Sequence, residues 1–155
     1  MIKILFVCHG NICRSTMSQF VFQHMVNNLG IADHFFIDSM GTSAEESGNP
    51  PHIGTVRKLR EVGVPVLSHW ARQMSRKDYD RFDYIIGMDE WNIKNLNRIC
   101  GGDPDKKIYK FLTFADSDRD IADPWYTGDF EATYKDVVEG CQGLLAYLNK
   151  HEMID

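Results

Sequence analysis

Short apolar runs recur along the chain and predict β-strands. Residues 2–8 (IKILFVC) form a continuous apolar run, which is typical of a strand covered by other elements on both faces. Residues 35–40 (FFIDSM) and 84–88 (YIIGM) have a similar character, and residues 108–114 form a weaker candidate. The pattern therefore predicts four strands.

Amphipathic segments separate these runs and predict helices. A first helix begins at Arg14, because apolar residues then recur at three- and four-residue steps, and Gly30 follows as a stop signal. A second helix is predicted to begin at Asn49-Pro50, with Asn49 as the cap and Pro50 in the first turn, and to end at Gly63.

Two further helices are predicted in the second half of the chain. Asp89 is expected to cap a helix that carries Ile93 and Leu96. The last helix has the clearest pattern, since its apolar residues form one stripe between Phe130 and Leu148.

The alternation of strands and helices predicts an α/β fold, a three-layer sandwich with helices on both faces of a parallel, four-stranded sheet. No repeat, low-complexity segment or Pro/Gly/Ser-rich linker divides the chain, so residues 1–155 are expected to form a single domain. Active sites of such sheets lie at the carboxyl ends of the strands. The chemistry is therefore expected just after residues 8, 40, 88 and 114.

Composition narrows the class of protein. The 155 residues are 43% hydrophobic and 25% charged, which excludes disordered and collagen-like chains. A net charge of −5 argues against a nucleic-acid partner, and no apolar run is long enough to span a membrane. The four cysteines are too few for a disulfide scaffold, and the N-terminus has no targeting pattern, so we expect a cytoplasmic protein.

The segment after the first strand carries a candidate nucleophile. Cys8 and Arg14 flank a short loop at the start of a helix, where backbone N–H groups and the helix dipole favour anions. Gly10 and Asn11 tolerate the left-handed backbone that such a loop requires. A cysteine at this position is favoured as a thiolate, and Ser15 could donate a hydrogen bond to it.

Other interpretations of this loop remain open from the residues alone. Cys8 could be a buried residue at a strand end, and Arg14 a solvated helix residue. A metal site made of Cys8, His9 and Cys13 is disfavoured, because their spacing matches no common zinc arrangement.

A phosphate ester needs a general acid for its leaving group, and residues 115–131 are rich in carboxylates. Asp123-Pro124-Trp125-Tyr126 is the distinctive part, since proline stiffens the loop and two aromatic residues could wall a flat ring. Composition does not indicate which of the aspartates is the general acid. The alternative is that residues 115–131 form a solvated acidic loop without a catalytic role.

These residues resemble the low-molecular-weight protein tyrosine phosphatase family over nearly the whole chain. The loop CHGNICRS at residues 8–15 is similar to the family signature CxGNICRS. Further matching segments are Asp38-Ser39, Gly41-Thr42-Ser43, Gly48-Asn49-Pro50-Pro51, Ser68-His69, Ala71-Arg72-Gln73, Phe82-Asp83-Tyr84-Ile85, Met88-Asp89-Glu90 and Asp123-Pro124.

The resemblance implies a flavodoxin-like fold and two-step hydrolysis of phosphotyrosine on a protein substrate, with no metal or other cofactor. In this scheme Cys8 attacks phosphorus and Arg14 holds the equatorial oxygens. Asp123 then protonates the leaving phenolate and later activates water against the phosphocysteine, so the resemblance selects the acid that composition left open.

The resemblance also implies roles for the surrounding residues. Asn11 would hold the loop in a strained shape, supported by Ser15, Ser39 and His69. Cys13 would form a reversible disulfide with Cys8 under oxidation. The residues expected to contact phosphate or substrate are His9, Gly10, Asn11, Ile12, Cys13, Ser15, Glu45, Trp125 and Tyr126.

The sequence departs from the family at several positions. His9 stands where an apolar residue is common. Glu45 and Glu46 lie in the loop where many family members carry an aromatic residue that stacks on the substrate ring. Trp125 stands where tyrosine is usual. After the signature, Thr16, Ser18 and Gln19 stand where the family usually has Pro, Ala and Glu. The sequence does not explain these three differences.

Four rival functions are considered. A thiol-coupled arsenate reductase would need a close pair of downstream cysteines, but only Cys100 and Cys141 follow. A protein-arginine phosphatase is expected to carry a hydroxyl residue in place of Ile12. A phosphocarrier would not need Asp123 as an acid, and a phosphate-binding module would need no nucleophile.

Overall fold

Four parallel strands form the sheet in the computed structural model, which describes residues 1–152. Their order is β2-β1-β3-β4, so the first strand of the chain lies inside the sheet. The strands are β1 (Ile2–Cys8), β2 (Phe35–Gly41), β3 (Tyr84–Gly87) and β4 (Ile108–Lys110). The parallel α/β fold predicted from the alternation is confirmed.

In the part of the chain that the structure describes, five helices and three short 3₁₀ segments surround the sheet. The helices are α1 (Arg14–Asn28), α2 (Ile53–Glu61), α3 (Glu90–Cys100), α4 (Pro124–Thr127) and α5 (Phe130–His151). The 3₁₀ helices are Ala32–His34, Arg76–Arg81 and Phe111–Ala115. Within residues 1–152, none of the helices has both the length and the apolar character needed to cross a bilayer.

Alternating residues of β1 supply two separate hydrophobic cores. Ile4 and Phe6 pack in one core with apolar residues of α1 and α5, including Leu144. Leu5 and Val7 point to the other face and pack in a second core that includes Leu96 of α3. Because every second side chain of a strand faces the same side, the continuous apolar run of β1 is what allows both faces to be covered.

The predicted boundaries were wrong at two places. The fourth strand ends at Lys110 instead of residue 114, and the chain continues as the 3₁₀ helix Phe111–Ala115. Phe111 and Phe114 of this segment pack against Gly140 and Gly143 of α5, where even a Cβ atom would come too close. Packing against α5 therefore takes these apolar residues out of the sheet.

The second helix begins later than the sequence pattern indicates. It is capped by His52, whose Nδ1 accepts a hydrogen bond from Gly54 N at 2.9 Å, and its first residue is Ile53. Pro51 disfavours the helical conformation for Pro50, so Pro50 cannot be the first residue of the helix. The Pro50-Pro51 pair was visible in the sequence, and it excludes Asn49 as the cap.

We predict that Gly143→Ala destabilises the fold, although alanine is the better helix former. A Cβ atom at residue 143 would lie 2.4 Å from Phe114 O, which is a backbone atom and cannot rotate away. The overlap should cost about 1–3 kcal/mol of unfolding free energy, more than the ~1 kcal/mol that helix propensity returns.

Urea unfolding of both proteins measures this change. Gln142→Ala, at the exposed neighbouring position of α5, is the control and should change stability by less than about 0.5 kcal/mol. An increase in stability for Gly143→Ala would show that the close approach of the two segments is not tight.

Candidate active site

The loop that joins β1 to α1 has the form of an anion site. Residues 8–15, the cysteine loop, begin at Cys8, the last residue of β1, and end in the first turn of α1. The backbone N–H groups of residues 10–13 donate no hydrogen bond within residues 1–152. Unpaired amides beside a helix N-terminus favour a bound anion.

Asn11 holds this loop in a left-handed backbone conformation, with φ of 59°. Its Nδ2 atom donates to Ser15 Oγ at 2.9 Å and to Ser39 Oγ at 3.0 Å. Its Oδ1 atom accepts from Arg72 N at 3.2 Å and lies 2.9 Å from His69 Nε2. The side chain is buried and fully hydrogen-bonded, so the strained backbone is fixed from outside the loop.

Ser15 connects this network to the thiol. Cys8 Sγ lies 3.0 Å from Ser15 Oγ in a buried hydrogen bond. Because Ser15 Oγ already accepts from Asn11, its own O–H is free to donate to Cys8 when the sulfur is an anion. The contact with Asn11 orients Ser15, and the contact with Cys8 lets its O–H stabilise a thiolate.

His69 supports the loop as a neutral imidazole. Its Nε2 atom must donate to Asn11 Oδ1, since an amide oxygen can only accept. Burial lowers the pKa of His69, and the positive charge of Arg72 acts in the same direction, opposed by Asp38. His69 therefore acts as a hydrogen-bond donor in the folded protein.

Arg14 joins three segments at one guanidinium. Its Nη1 atom donates to Asp89 Oδ2 at 2.6 Å and to Ile121 O at 2.8 Å, while Nη2 contacts Asp123 Oδ2 at 3.4 Å. Burial opposes its charge, but the neighbouring Cys8 and Asp89 raise the pKa of Arg14 above its usual range. The buried cation is therefore held in place beside the cysteine loop.

Asp123 caps α4 and faces the cysteine loop. Its Oδ1 atom accepts from Trp125 N at 3.0 Å, and Oδ2 is the oxygen near Arg14. A cleft of about 110 Å³ brings this carboxyl group and the thiol into one space. The residues around the cleft are Cys8, His9, Gly10, Ile12, Cys13, Glu45, Glu46, Asp123, Trp125 and Tyr126.

The structure therefore brings the predicted site residues together at the carboxyl ends of the strands. The residues that support the loop lie behind the cleft wall; they are Asn11, Ser15, Ser39 and His69. Arg14 opens onto an adjoining groove that shares His9, Asp123 and Tyr126 with the cleft.

Within residues 1–152, no group of three or more His, Cys, Asp or Glu side chains is arranged to hold a metal ion.

Known proteins match the chain over nearly its full length. A family model described as low molecular weight phosphotyrosine protein phosphatase matches residues 3–153. The low molecular weight protein-tyrosine-phosphatase YfkJ of Bacillus subtilis (strain 168) is 41% identical and covers 99% of this chain and 100% of its own. The low molecular weight phosphotyrosine protein phosphatase of Pongo abelii is 39% identical, covering 92% and 93% of the two chains.

The fold agrees with these matches. The crystal structure of YfkJ from Bacillus subtilis has a TM-score of 0.94 and 42% identity, with 97% of this chain and 96% of that chain covered. The chain belongs to the low molecular weight phosphotyrosine protein phosphatase family. The predicted family and class of enzyme, a hydrolase that acts on phosphorylated proteins, are confirmed.

This phosphatase has three hydroxyl and amide groups whose role the sequence did not reveal. Ser39 Oγ donates to Gln19 Oε1 at 2.5 Å, so Gln19 ends the hydrogen-bond network that begins at Asn11. Thr16 Oγ1 donates to Cys13 O at 3.0 Å, and Ser18 Oγ donates to Arg14 O at 2.7 Å. Gln19 thus connects α1 to the Asn11 network, while the hydroxyl groups of Thr16 and Ser18 are satisfied by carbonyl oxygens at the start of α1.

Asp89 and His52 also make contacts at the site that the sequence did not indicate. Asp89 does cap α3, as predicted, through Oδ1 and Asn92 N at 2.7 Å. Its other oxygen binds Arg14, which the sequence could not indicate. His52 packs edge-on against Trp125, with ring centroids 5.6 Å apart, and so supports one wall of the cleft.

Cys13 remains protonated near neutral pH. Burial, together with the nearby Cys8, raises the pKa of the Cys13 thiol to about 12. Cys100 and Cys141 are buried away from the cleft, and burial raises the pKa of each. Cys13 is the second thiol of the cleft, but its protonation makes it a poor nucleophile.

We predict that this phosphatase loses stability as the pH falls below about 6.5, the usual pKa of histidine in an unfolded chain. Because the pKa of His69 is lowered in the folded state, the unfolded state binds the extra proton first. The stabilisation is complete above the unfolded pKa and decreases as the pH falls towards the folded one.

Urea unfolding at pH 7.5 and at pH 5.5, for the wild type and His69→Gln, tests this prediction. Glutamine retains a donor for Asn11 but does not titrate, so the variant should show the smaller difference between the two pH values. The same pH dependence in both proteins would remove His69 from the explanation.

Proposed function

We propose that the protein hydrolyses phosphotyrosine in protein substrates through a phosphocysteine intermediate. One observation carries the proposal: the thiol of Cys8 lies in the same cleft as the Asp123 carboxyl group, with Arg14 alongside and with loop amides that donate no hydrogen bond within residues 1–152. A nucleophile, an anion cradle and a proton donor are the groups that phosphate-ester hydrolysis requires.

In the first step, the Cys8 thiolate attacks phosphorus and forms a P–S bond. The bond from phosphorus to the phenolic oxygen breaks, and its electron pair leaves with that oxygen. Asp123 supplies the proton that makes the leaving group a neutral phenol. Arg14 and the amides of the cysteine loop stabilise the charge on the equatorial oxygens.

In the second step, water replaces the thiolate at phosphorus. Asp123, now a carboxylate, accepts a proton from the attacking water, and the P–S bond breaks as the P–O bond forms. Sulfur leaves as a thiolate, which Ser15 stabilises through its free O–H. Inorganic phosphate is released, and the protonated Asp123 is ready for the next turnover.

The outer part of the cleft suits an aromatic substrate. Trp125 and Tyr126 are exposed and line the cleft next to Asp123, so they can flank the ring of phosphotyrosine. Glu45 also lines this cleft, where it is exposed and contacts His9 Nε2 at 3.3 Å. We infer that the protein lacks the aromatic stacking partner that family members often carry at this rim.

Three expectations from the sequence remain predictions. Oxidation would join Cys8 and Cys13 in a reversible disulfide that blocks the nucleophile. A cytoplasmic protein, formed by residues 1–155 as one phosphatase domain, is likewise expected from the sequence.

We predict that Cys8→Ser abolishes turnover of para-nitrophenyl phosphate in EDTA, since a serine hydroxyl is not ionised at neutral pH. Asp123→Asn should lower kcat/KM for phenyl phosphate by roughly 10²-fold or more, because the leaving phenolate then has no proton donor.

Steady-state rates and a burst measurement separate the rival functions. A phosphocarrier would show one turnover and then stop, and a binding module would show none. Phosphoarginine is the discriminating substrate for an arginine phosphatase, so faster turnover of phosphoarginine than of phosphotyrosine peptides would contradict the proposal.

We predict that Glu45→Tyr lowers KM for a phosphotyrosine peptide by roughly two- to tenfold, the range expected from one added aromatic contact. Glu45→Gln is the matched control, because it removes the charge without adding a ring. Equal KM values for Glu45→Tyr and Glu45→Gln would show that charge, and not ring stacking, governs recognition at this rim.

A further inference from the structure

Asp123 lies at the end of an exposed, acidic segment that must hold a fixed position. Residues 116–123, the acid loop, leave the 3₁₀ helix Phe111–Ala115 and end at the cap of α4. Ile121 fixes the middle of the loop, because its buried side chain joins the core and its backbone N donates to Met88 O at 3.0 Å. Backbone hydrogen bonds also hold the two ends of the loop, from Ser117 N to Leu112 O and from Tyr126 N to Asp123 O. Between Ser117 and Ile121, the contacts with the rest of the protein come from side chains.

Lys110 contributes a group of such contacts from beneath the loop. It is the last residue of β4, and its side chain is only 12% exposed. Its Nζ atom donates to Asp118 O at 2.5 Å and contacts Asp120 Oδ1 at 2.7 Å. The same nitrogen reaches Glu90 Oε2 of α3 at 3.3 Å.

These contacts connect the acid loop to two elements of the scaffold. Asp120 Oδ1 also accepts from Glu90 N at 3.1 Å, so the carboxylate is held by the ammonium and by the first turn of α3. Burial opposes the charge of Lys110, but its hydrogen bonds to Asp120 and Glu90 raise the pKa of the ammonium. The hydrogen bond from Lys110 in turn lowers the pKa of Asp120.

The connection continues from Asp120 to the catalytic groups. The next residue, Ile121, accepts from Arg14 Nη1 at 2.8 Å through its carbonyl oxygen. Two residues further along, Asp123 places Oδ2 at 3.4 Å from Arg14 Nη2. A shift of Asp120 would therefore move the carboxyl group of Asp123 relative to the guanidinium and to the thiol.

Arg119 contacts the scaffold in a different way. Its guanidinium binds Asp136 and Glu139 on the surface of α5, and its side chain is 46% exposed. Exposed ion pairs contribute little because solvent screens them. Removing the ammonium of Lys110 would instead leave two carboxylates, Asp120 and Glu90, facing the space it occupied.

We propose that Lys110 is a positioning residue for the general acid: it ties the acid loop to β4 and α3 and so keeps Asp123 within reach of the substrate's leaving oxygen. This inference rests on the proposed function. Lys110 touches neither the cleft nor the reacting atoms, so its removal should impair proton transfer while leaving the cysteine loop intact.

A leaving-group comparison tests the proposal with Lys110→Met, which keeps an unbranched apolar side chain and removes the charge. We expect kcat/KM for phenyl phosphate to fall roughly tenfold, since a small displacement of a catalytic group has costs of this order or more. For 2,4-dinitrophenyl phosphate, whose phenolate leaves without protonation, we expect a change of less than about twofold.

Three further variants sharpen the experiment. Lys110→Arg restores a cation and should recover most of the phenyl phosphate activity. In an Asp123→Asn background, Lys110→Met should have no further effect on phenyl phosphate, because both changes act on the same proton transfer. Lys77→Met removes an exposed lysine of the 3₁₀ helix Arg76–Arg81, and both substrates should then react at the wild-type rate.

The outcomes separate this proposal from the proposed function. Equal losses on both substrates would show a general structural role for Lys110 and would overturn the inference, as would wild-type rates on both. Failure of the wild type to hydrolyse either substrate would instead contradict the proposed function. If Lys110→Met does not fold, Asp120→Asn removes the other charge of the pair and should give the same selective loss on phenyl phosphate.

Discussion

The candidate active site depends on the left-handed backbone of Asn11. A non-glycine residue rarely adopts this conformation, and here its surroundings enforce it, beside loop amides that donate no hydrogen bond within residues 1–152. The enforcement comes from hydrogen bonds to groups that lie far apart in the chain, including Ser39 and His69. The anion cradle is therefore a product of the whole sheet edge and not of the loop alone.

Arg14 links the cysteine loop to the acid loop on the other side of the cleft. It is buried, and its donors reach Asp89 after β3 and the backbone of the acid loop. A buried cation with these partners couples the position of Asp123 to the position of the cysteine loop. Cys8 and Asp123, which are 115 positions apart in the sequence, thus share one electrostatic support.

The departures from the family have two different characters. Gln19, Thr16 and Ser18 are buried in α1, and each makes a hydrogen bond either to the network around Asn11 or to a carbonyl oxygen at the start of α1. Glu45 and Trp125 lie at the rim, where they alter the surface that a substrate meets. The differences in the interior thus add polar groups that are hydrogen-bonded, while those at the entrance change its charge and its aromatic residues relative to the family.

The sequence by itself determined the strands, most helices and the cysteine loop, because apolar periodicity and a contiguous signature are local properties. It also placed Asp123, although only through the family resemblance, since composition left several aspartates equivalent. The early end of β4 and the partners of Lys110, Asp89 and Gln19 appeared only in the tertiary structure. These depend on segments that pack or form hydrogen bonds across long stretches of chain, 75 positions for Asp89 and Arg14, and no local pattern encodes such a pairing.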